Sequence, residues 1–433
     1  MKPSSPLLAT VLLALALLAG CGSAEQADPA PEDAGVQARS AASFVDSIGV
    51  NTHTYYDDTV YYSQFGTIEQ RLRELGIHHI RENLVPNRPD QYERLKALAA
   101  AGIKSTLILG DPDNSLAGLD RLVAILAAKL PDSVDAAEGP NEFDLRGGAN
   151  WAPRLARYQE ALYAAVKSNP ALASLPVVGP SVGRLEDEAV LPDLAADLDF
   201  GNIHPYPDGE PPERNIGEWL DLAPRMSGPK PVLATESGYH DALAASEGQQ
   251  PVSEAAMATY VPRLFLEYFR RGIPRSFEYE LADEFPDPAA DEPESSFGLL
   301  RNDLAPKPAF SALRNLVAIL AEDEAADADF APGQLDYALG GDSDGLHQIL
   351  LEKRDGSFYL ALWREQSVWD ASARAPLDPG TTPLTLRLAS APPAVRVYRP
   401  NRSARALASP ATSGGPISLE IGPQVTLVEI AAD

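Results

Sequence analysis

The sequence predicts an α/β protein in which eight parallel strands alternate with helices to form a (β/α)8 barrel, followed by a small C-terminal antiparallel β-sandwich. Three observations predict it. Short β-like runs alternate with longer helical patterns from residue 44 onward. Eight such units fit within residues 44–322, close to the roughly 250 residues of a typical TIM barrel. After Leu320 the pattern changes to short alternating segments separated by turn signals such as Asp355-Gly356.

In order, the predicted strands are Ser47 to Thr52, His78 to Glu82, Lys104 to Leu109, Val134 to Glu138, Pro176 to Gly179, Asp199 to His204, Pro231 to Glu236 and Arg275 to Leu281. Helical spacing of apolar residues marks Ile68 to Leu75, Gln91 to Ala101, Leu116 to Lys129, Pro153 to Lys167 and Glu254 to Arg271. The first strand is not followed by a Gly-x-Gly-x-x-Gly turn, which removes support for a dinucleotide fold. An acidic, Ala-rich bridge from Glu322 to Phe330 leads into the β-rich segments at 348–352, 358–363, 384–388, 395–398 and 425–430.

The N-terminus carries a separate message. Lys2 precedes a Leu-rich uncharged run from Leu7 to Leu18 and then Leu18-Ala19-Gly20-Cys21, the pattern of a bacterial lipoprotein signal peptide. The run is too short to span a bilayer comfortably. Cys21 is the only cysteine among 433 residues, so no internal disulfide forms and the thiol is assigned to lipid attachment. The expected organisation is a signal peptide at 1–20, a lipidated Cys21 with a disordered tether through 43, the barrel at 44–322 and the sandwich at 323–433. The expected location is the cell envelope, lipid-anchored, and Gly22 rather than Asp after the cysteine favours the outer membrane or cell surface over the inner membrane.

A chain with 45% apolar residues can bury a large core. Its 62 acidic against 35 basic residues give a formal charge of −27, which argues against nucleic acid as a partner. The run Asp111-Pro112-Asp113-Asn114-Ser115 has the oxygen donors of a calcium loop but lacks its glycine and final glutamate. No histidine pair has metal-binding spacing, and neither a nucleophile elbow nor a phosphate loop occurs. No metal or other cofactor is expected.

Two segments place a carboxylate where a buried strand ends. Val134 to Glu138 runs into Gly139-Pro140-Asn141-Glu142, and Pro231 to Thr235 ends on Glu236-Ser237-Gly238. By count they close strands four and seven. In a TIM barrel the C-terminal strand ends form the active-site face, so both carboxylates point into one cleft. Either glutamate alone reads more readily as a loop residue making a surface salt bridge.

Together, Asn141-Glu142 after strand four and Glu236 closing strand seven resemble the acid/base and nucleophile motifs of clan A glycoside hydrolases. The Phe297-to-Leu313 segment, with its Gly298-Leu299 and Lys307-Pro308-Ala309 runs, is similar to the stretch after strand eight in that clan. The resemblance covers residues 44 to 320. It implies a retaining O-glycosidase acting on an oligo- or polysaccharide, with Glu142 as acid/base and Glu236 as nucleophile. Retaining enzymes hold such carboxyls about 5–5.5 Å apart. At that distance and an effective dielectric of about 20, two negative charges repel by roughly 3 kcal/mol, or about two pKa units. One proton is then retained, and the expected holder is Glu142.

The same resemblance implies roles for neighbours. Asn141 would bind the sugar 2-hydroxyl. His204 and Tyr206, in Ile203-His204-Pro205-Tyr206, would steady the nucleophile; by its position at the end of strand two, Arg81 would help keep Glu236 ionised or equally form a structural ion pair inside the barrel. His53 ends strand one. Many clan members end strand eight on a tryptophan that floors the sugar subsite, whereas this chain has Phe277-Glu278-Tyr279-Glu280-Leu281. Tyr279 can replace that platform, and Glu280 or Asp283 can bind a hydroxyl or stand as a loop charge. Tyr55, Tyr56, Trp151 and Tyr239 are candidate stacking aromatics on the rim. The absent tryptophan and the accessory β-domain also fit a glycan-binding surface lipoprotein that keeps the barrel without catalysis.

Overall fold

The structure, a computed structural model, describes residues 35–322, 330–412 and 415–432. The signal peptide, Cys21 and most of the acidic bridge lie outside the described residues. All eight predicted strands are present: β1 (Ile48–Asn51), β2 (His79–Asn83), β3 (Lys104–Ile108), β4 (Val134–Glu138), β5 (Val177–Val178), β6 (Gly201–Ile203), β7 (Val232–Ser237) and β8 (Ser276–Glu278). They form one parallel sheet in the order β5-β4-β3-β2-β1-β8-β7-β6. A parallel bridge between Val178 and Phe200 joins the two ends into a barrel.

The strands are short apolar runs because both faces are buried. Outside, Ile48, Val50, Ile80 and Leu107 meet the helices, among them Phe65–Leu75, Pro89–Ala100, Leu116–Lys129, Trp151–Ser168, Glu254–Arg270 and Pro308–Leu320. Inside, a small apolar plug of Ala136, Val178 and Leu233 with Phe200 fills the middle. Below it buried His79 and half-buried Asp135 and Arg275 form an ion cluster, His79 Nδ1 lying 2.5 Å and Arg275 Nη1 3.0 Å from Asp135 Oδ2. Above it sits a polar layer that becomes the floor of the site.

Two irregularities set that layer. β4 has one residue more than β3 between the Ser105–Val134 and Thr106–Ala136 pairings, and β7 has one more than β8 between Ala234 and Ser237. An extra residue re-aims the side chains that come after it, a common arrangement beside active sites. Asp135 and Glu138 therefore both reach partners across the barrel interior, and so do Thr235 and Glu236.

The C-terminal part is a sandwich. A six-stranded sheet containing Leu346–Glu352, Phe358–Arg364, Val395–Arg399, Ser403–Ala408 and Thr426–Ile430 faces a three-stranded sheet of Tyr337–Gly341, Thr382–Leu388 and Ile417–Ile421. Leu350, Leu360, Leu362, Leu384, Leu386, Leu419 and Val428 form its core. Strand Phe358–Arg364 is buried on both faces: Leu360 and Leu362 face the sandwich, while Tyr359, Ala361 and Trp363 join the barrel's core.

The sixth strand comes from the N-terminal side, and here the expected tether is corrected. Arg39–Ser40 pairs in parallel with Leu351–Glu352, Val36–Gln37 pairs with Gln334–Leu335, and Ala38 is buried in the sandwich core. Ser40 then caps helix Ala41–Asp46 by accepting from the Ser43 amide. Edge pairing uses backbone groups, so a segment poor in apolar side chains can still be ordered, and composition alone does not show it.

The sandwich is fastened to the barrel by a buried polar knot. Trp363 is fully buried and its Nε1–H donates to Glu213 Oε1 at 2.8 Å. Arg263 donates to both oxygens of Glu213 and to the Gln366 carbonyl. Trp363→Ala should therefore lower stability by about 3–5 kcal/mol, the range for buried aromatics replaced by alanine. Urea unfolding of the full chain measures this, and an unchanged midpoint would mean that the interface does not hold the two parts together.

Candidate active site

Glu236 lies at the end of β7 and is 7% exposed. Arg81 Nη1, from β2, donates to its Oε1, and the Tyr206 hydroxyl, from the loop after β6, donates to its Oε2 at 2.9 Å. Burial alone would raise its pKa. The charges of His204 and Arg81, with the hydrogen bonds from Arg81 and Tyr206, outweigh that and hold the carboxyl below the usual glutamate value.

Glu142 arrives by a different route. After β4 the chain turns through Gly139, where a Cβ would collide with Gln159 Oε1 and stand 2.9 Å from the Pro180 nitrogen, so only glycine fits. Glu142 itself adopts a left-handed backbone, φ +41° and ψ +45°. Such conformations in non-glycine residues cost roughly 1–3 kcal/mol and gather at functional sites. Its Oε1 lies 2.7 Å from His204 Nδ1. One carboxylate oxygen each from Glu142 and Glu236 and a ring nitrogen of His204 all lie within 4.8 Å of one another.

His204 links the two carboxylates. Its Nε2 is 3.0 Å from Thr235 Oγ1, while Nδ1 contacts Glu142 and lies 3.5 Å from Glu236 Oε2. Thr235 directs its hydroxyl at Asn202 Oδ1 (2.8 Å) and Glu138 Oε1 (3.1 Å), so it is an acceptor toward His204. Burial would lower the His204 pKa, but the charge of Glu236 and the hydrogen bond and charge of Glu142 raise it above the ordinary value.

Arg81 is the hub beneath both. Its guanidinium grips Glu138 with two bonds of 2.8 and 2.6 Å, donates to Asn51 Oδ1 at 3.0 Å and Asn141 Oδ1 at 2.7 Å, and reaches Glu236. Asn141 Oδ1 also accepts from Ser181 at 3.3 Å, which leaves the Asn141 amide NH2 for the cleft. Glu138, fully buried and further held by Asn202 and Thr235, was not among the residues singled out from sequence. Nor were Asn51, Asn202 and Thr235, which complete the layer.

The other nominated residues divide. His53 and Tyr279 line the same cavity as Arg81, Asn141, Glu142, Tyr206 and Glu236, a space of about 300 Å³. The Tyr279 ring stands edge-on to Phe297, 5.2 Å between centroids, and its hydroxyl donates to Glu294 at 3.2 Å. Tyr56 stacks on His53 at 4.6 Å. Glu280 lies behind the wall, fully buried, accepting from Tyr61 at 2.7 Å. Asp283 is bound to Lys307 at 2.9 Å, and Tyr239 is buried with its hydroxyl on the Glu210 carbonyl. Trp151 is not on this cavity: it starts helix Trp151–Ser168 and packs on the core, as expected of a ring opening an amphipathic helix. A larger hollow, about 450 Å³, lies beside Arg154 and Tyr158 and brings no pair of carboxylates together.

Solved structures share this architecture. A family 39 glycoside hydrolase from the gut symbiont Bacteroides cellulosilyticus WH2 superposes with a TM-score of 0.64 at 15% identity, covering 92% of this chain and 83% of its own. A glucosidase from Croceicoccus marinus superposes with a TM-score of 0.54 at 14% identity, covering 84% and 92%. The chain has a glycosidase's fold. Its structural neighbours are clan A glycoside hydrolases, the group whose motifs the strand ends resemble. At this identity the likeness is one of fold, and no protein-family model or curated protein matches the sequence.

Proposed function

We propose that the protein is a retaining glycoside hydrolase that cleaves O-glycosidic bonds of an extracytoplasmic glycan by double displacement. The observation that carries this reading is the asymmetric environment of two neighbouring carboxyls. Glu236 is held as a bare carboxylate by Arg81 and Tyr206, while the Glu142 carboxyl meets His204 but no arginine or lysine side chain among the described residues and has an oxygen within 4.8 Å of one of Glu236. That closeness accords with the roughly 5–5.5 Å between the carboxyls of retaining enzymes rather than the about 6.5–9.5 Å of inverting ones.

In the first step Glu236 attacks the anomeric carbon and forms an ester bond. The glycosidic C–O bond breaks and its oxygen takes a proton from Glu142. In the second, water attacks the anomeric carbon, Glu142 takes the water's proton, and Glu236 leaves as carboxylate. Asn141, with its oxygen tied back to Arg81 and Ser181, offers its amide protons to a sugar hydroxyl, and Tyr279 offers a ring face. Hydrolysis of aryl glycosides followed by proton NMR tests the reading. The first anomer released should have the substrate's configuration; release of the opposite anomer would overturn the double displacement.

The Leu18-Ala19-Gly20-Cys21 run supports a location at the cell envelope, with a lipid on Cys21. Cys21→Ser should move the protein out of the membrane fraction, and an unaltered distribution would rule the anchor out.

A further inference from the structure

Beside the catalytic pair lies a second group of ionisable side chains that the proposed reaction does not use. His53 lies two residues past the end of β1; Glu280 and Glu284 lie in the loop after β8. All three are buried, at 8, 0 and 9% exposure. His53 Nε2 is 3.4 Å from Glu280 Oε2 and 3.7 Å from Glu284 Oε1, and one donor atom from each residue falls within 4.8 Å of the others. These separations are longer than a good N–H···O hydrogen bond, which spans about 2.7–3.2 Å. Accordingly both ring nitrogens of His53, and Oε1 of Glu280, have no hydrogen-bond partner among the described residues.

Buried polar atoms in native proteins are normally satisfied, and carboxyls withdrawn from water hold either a proton or a compensating cation. The nearby cation on this loop is already taken, since Lys307 binds Asp241 and Asp283. A divalent ion would supply what is missing. With bonds of about 2.0–2.1 Å at tetrahedral angles, ligand atoms stand roughly 3.4 Å apart, close to the two distances here. An imidazole with two carboxylates is a zinc-like donor set, whereas calcium calls for six to eight oxygens at about 2.3–2.6 Å. Glu280 is also oriented from behind: the Tyr61 hydroxyl donates to its Oε2 and accepts from the Ala282 amide, fixing that carboxylate.

The geometry points to a zinc-class divalent metal site formed by His53, Glu280 and Glu284. Its role is structural. The ion ties the end of β1 to the loop after β8 and so fixes the wall on which His53 and Tyr279 meet the cavity. It stands apart from the proposed glycoside chemistry, so either can fail without the other.

The test loads the purified full-length protein with zinc chloride, removes free metal by desalting and counts bound zinc by mass spectrometry. One equivalent is expected on the wild type, and affinity should fall by about tenfold or more in His53→Ala and in Glu284→Gln. His204→Ala serves as the discriminating control, because Glu142, His204 and Glu236 also bring three donors together. Retention of the zinc by that variant supports the site. No zinc on the wild type, or loss in His204→Ala with retention in His53→Ala, overturns it. A readout independent of variant folding is diffraction from wild-type crystals at the zinc edge: an anomalous peak about 2.1 Å from His53 Nε2 is expected. A zinc-soaked crystal without that peak rejects the proposal.

Discussion

Glu236→Gly should lower kcat on an activated aryl glycoside by about 10⁵-fold, the scale on which removal of a nucleophile acts, or roughly 7 kcal/mol of barrier. The loss comes from the absence of any second group able to form the ester. Glu138 is fully buried and both its oxygens are bonded to Arg81, and Glu142 lies on the leaving-group side. Removing the side chain also opens a space bordered by Arg81 and Tyr206, two donors that suit a small anion. Azide should therefore enter, attack the anomeric carbon and restore turnover, giving a glycosyl azide of inverted configuration. Activity that survives the substitution without azide would remove Glu236 from the role. A wild type that binds glycan yet hydrolyses no aryl glycoside would favour a barrel that binds glycan without cleaving it.

Much of this site is legible in the sequence because strand ends in a barrel converge. Val134 to Glu138 and Pro231 to Glu236 read as buried runs, and the structure places Glu142 and Glu236 on one cavity, with Arg81, Asn141, His204 and Tyr206 around them. The sequence hides the features that depend on register. Period-two alternation puts Glu138 on the opposite face from Asp135, yet the extra residue in β4 turns both inward. Glu138 could have been found only by asking what neutralises an arginine buried at a strand end, since its partner lies 57 residues away. The extra residue in β7 likewise turns Thr235 and Glu236 to the same side. At the N-terminus the same limit appears in another form, because residues 36–40 are held through backbone pairing that no composition reveals.

Arg81→Met should damage stability and the pH profile together, and the two effects share one cause. The guanidinium is 2% exposed and compensates Glu138 and Glu236 at once. Deleting one partner of a buried ion pair typically costs about 3–5 kcal/mol, because the remaining charge stays out of water. For Glu236 the balance shifts as well. Burial raises its pKa, and of the influences that lower it, the charge and the hydrogen bond of Arg81 are both lost, leaving His204 and Tyr206. The pKa of the nucleophile therefore rises. Since the nucleophile must be ionised, the acid limb of kcat/KM against pH should move to higher pH. Stability obeys the same logic. In the wild type the depressed pKa of Glu236 contributes stability above its unfolded value, and that contribution is lost as pH falls through the folded value. In the variant the carboxyl is easier to protonate when folded, so the stability gap to wild type should narrow as the solution is acidified. Arg81→Lys separates charge from geometry: it keeps a cation near Glu236 but cannot supply the fork that grips Glu138 while also reaching Asn51 and Asn141. Its acid limb should lie between those of the wild type and Arg81→Met, with melting temperature still reduced. An acid limb at the wild-type position in Arg81→Met would show that Arg81 holds the barrel together without setting the ionisation of Glu236.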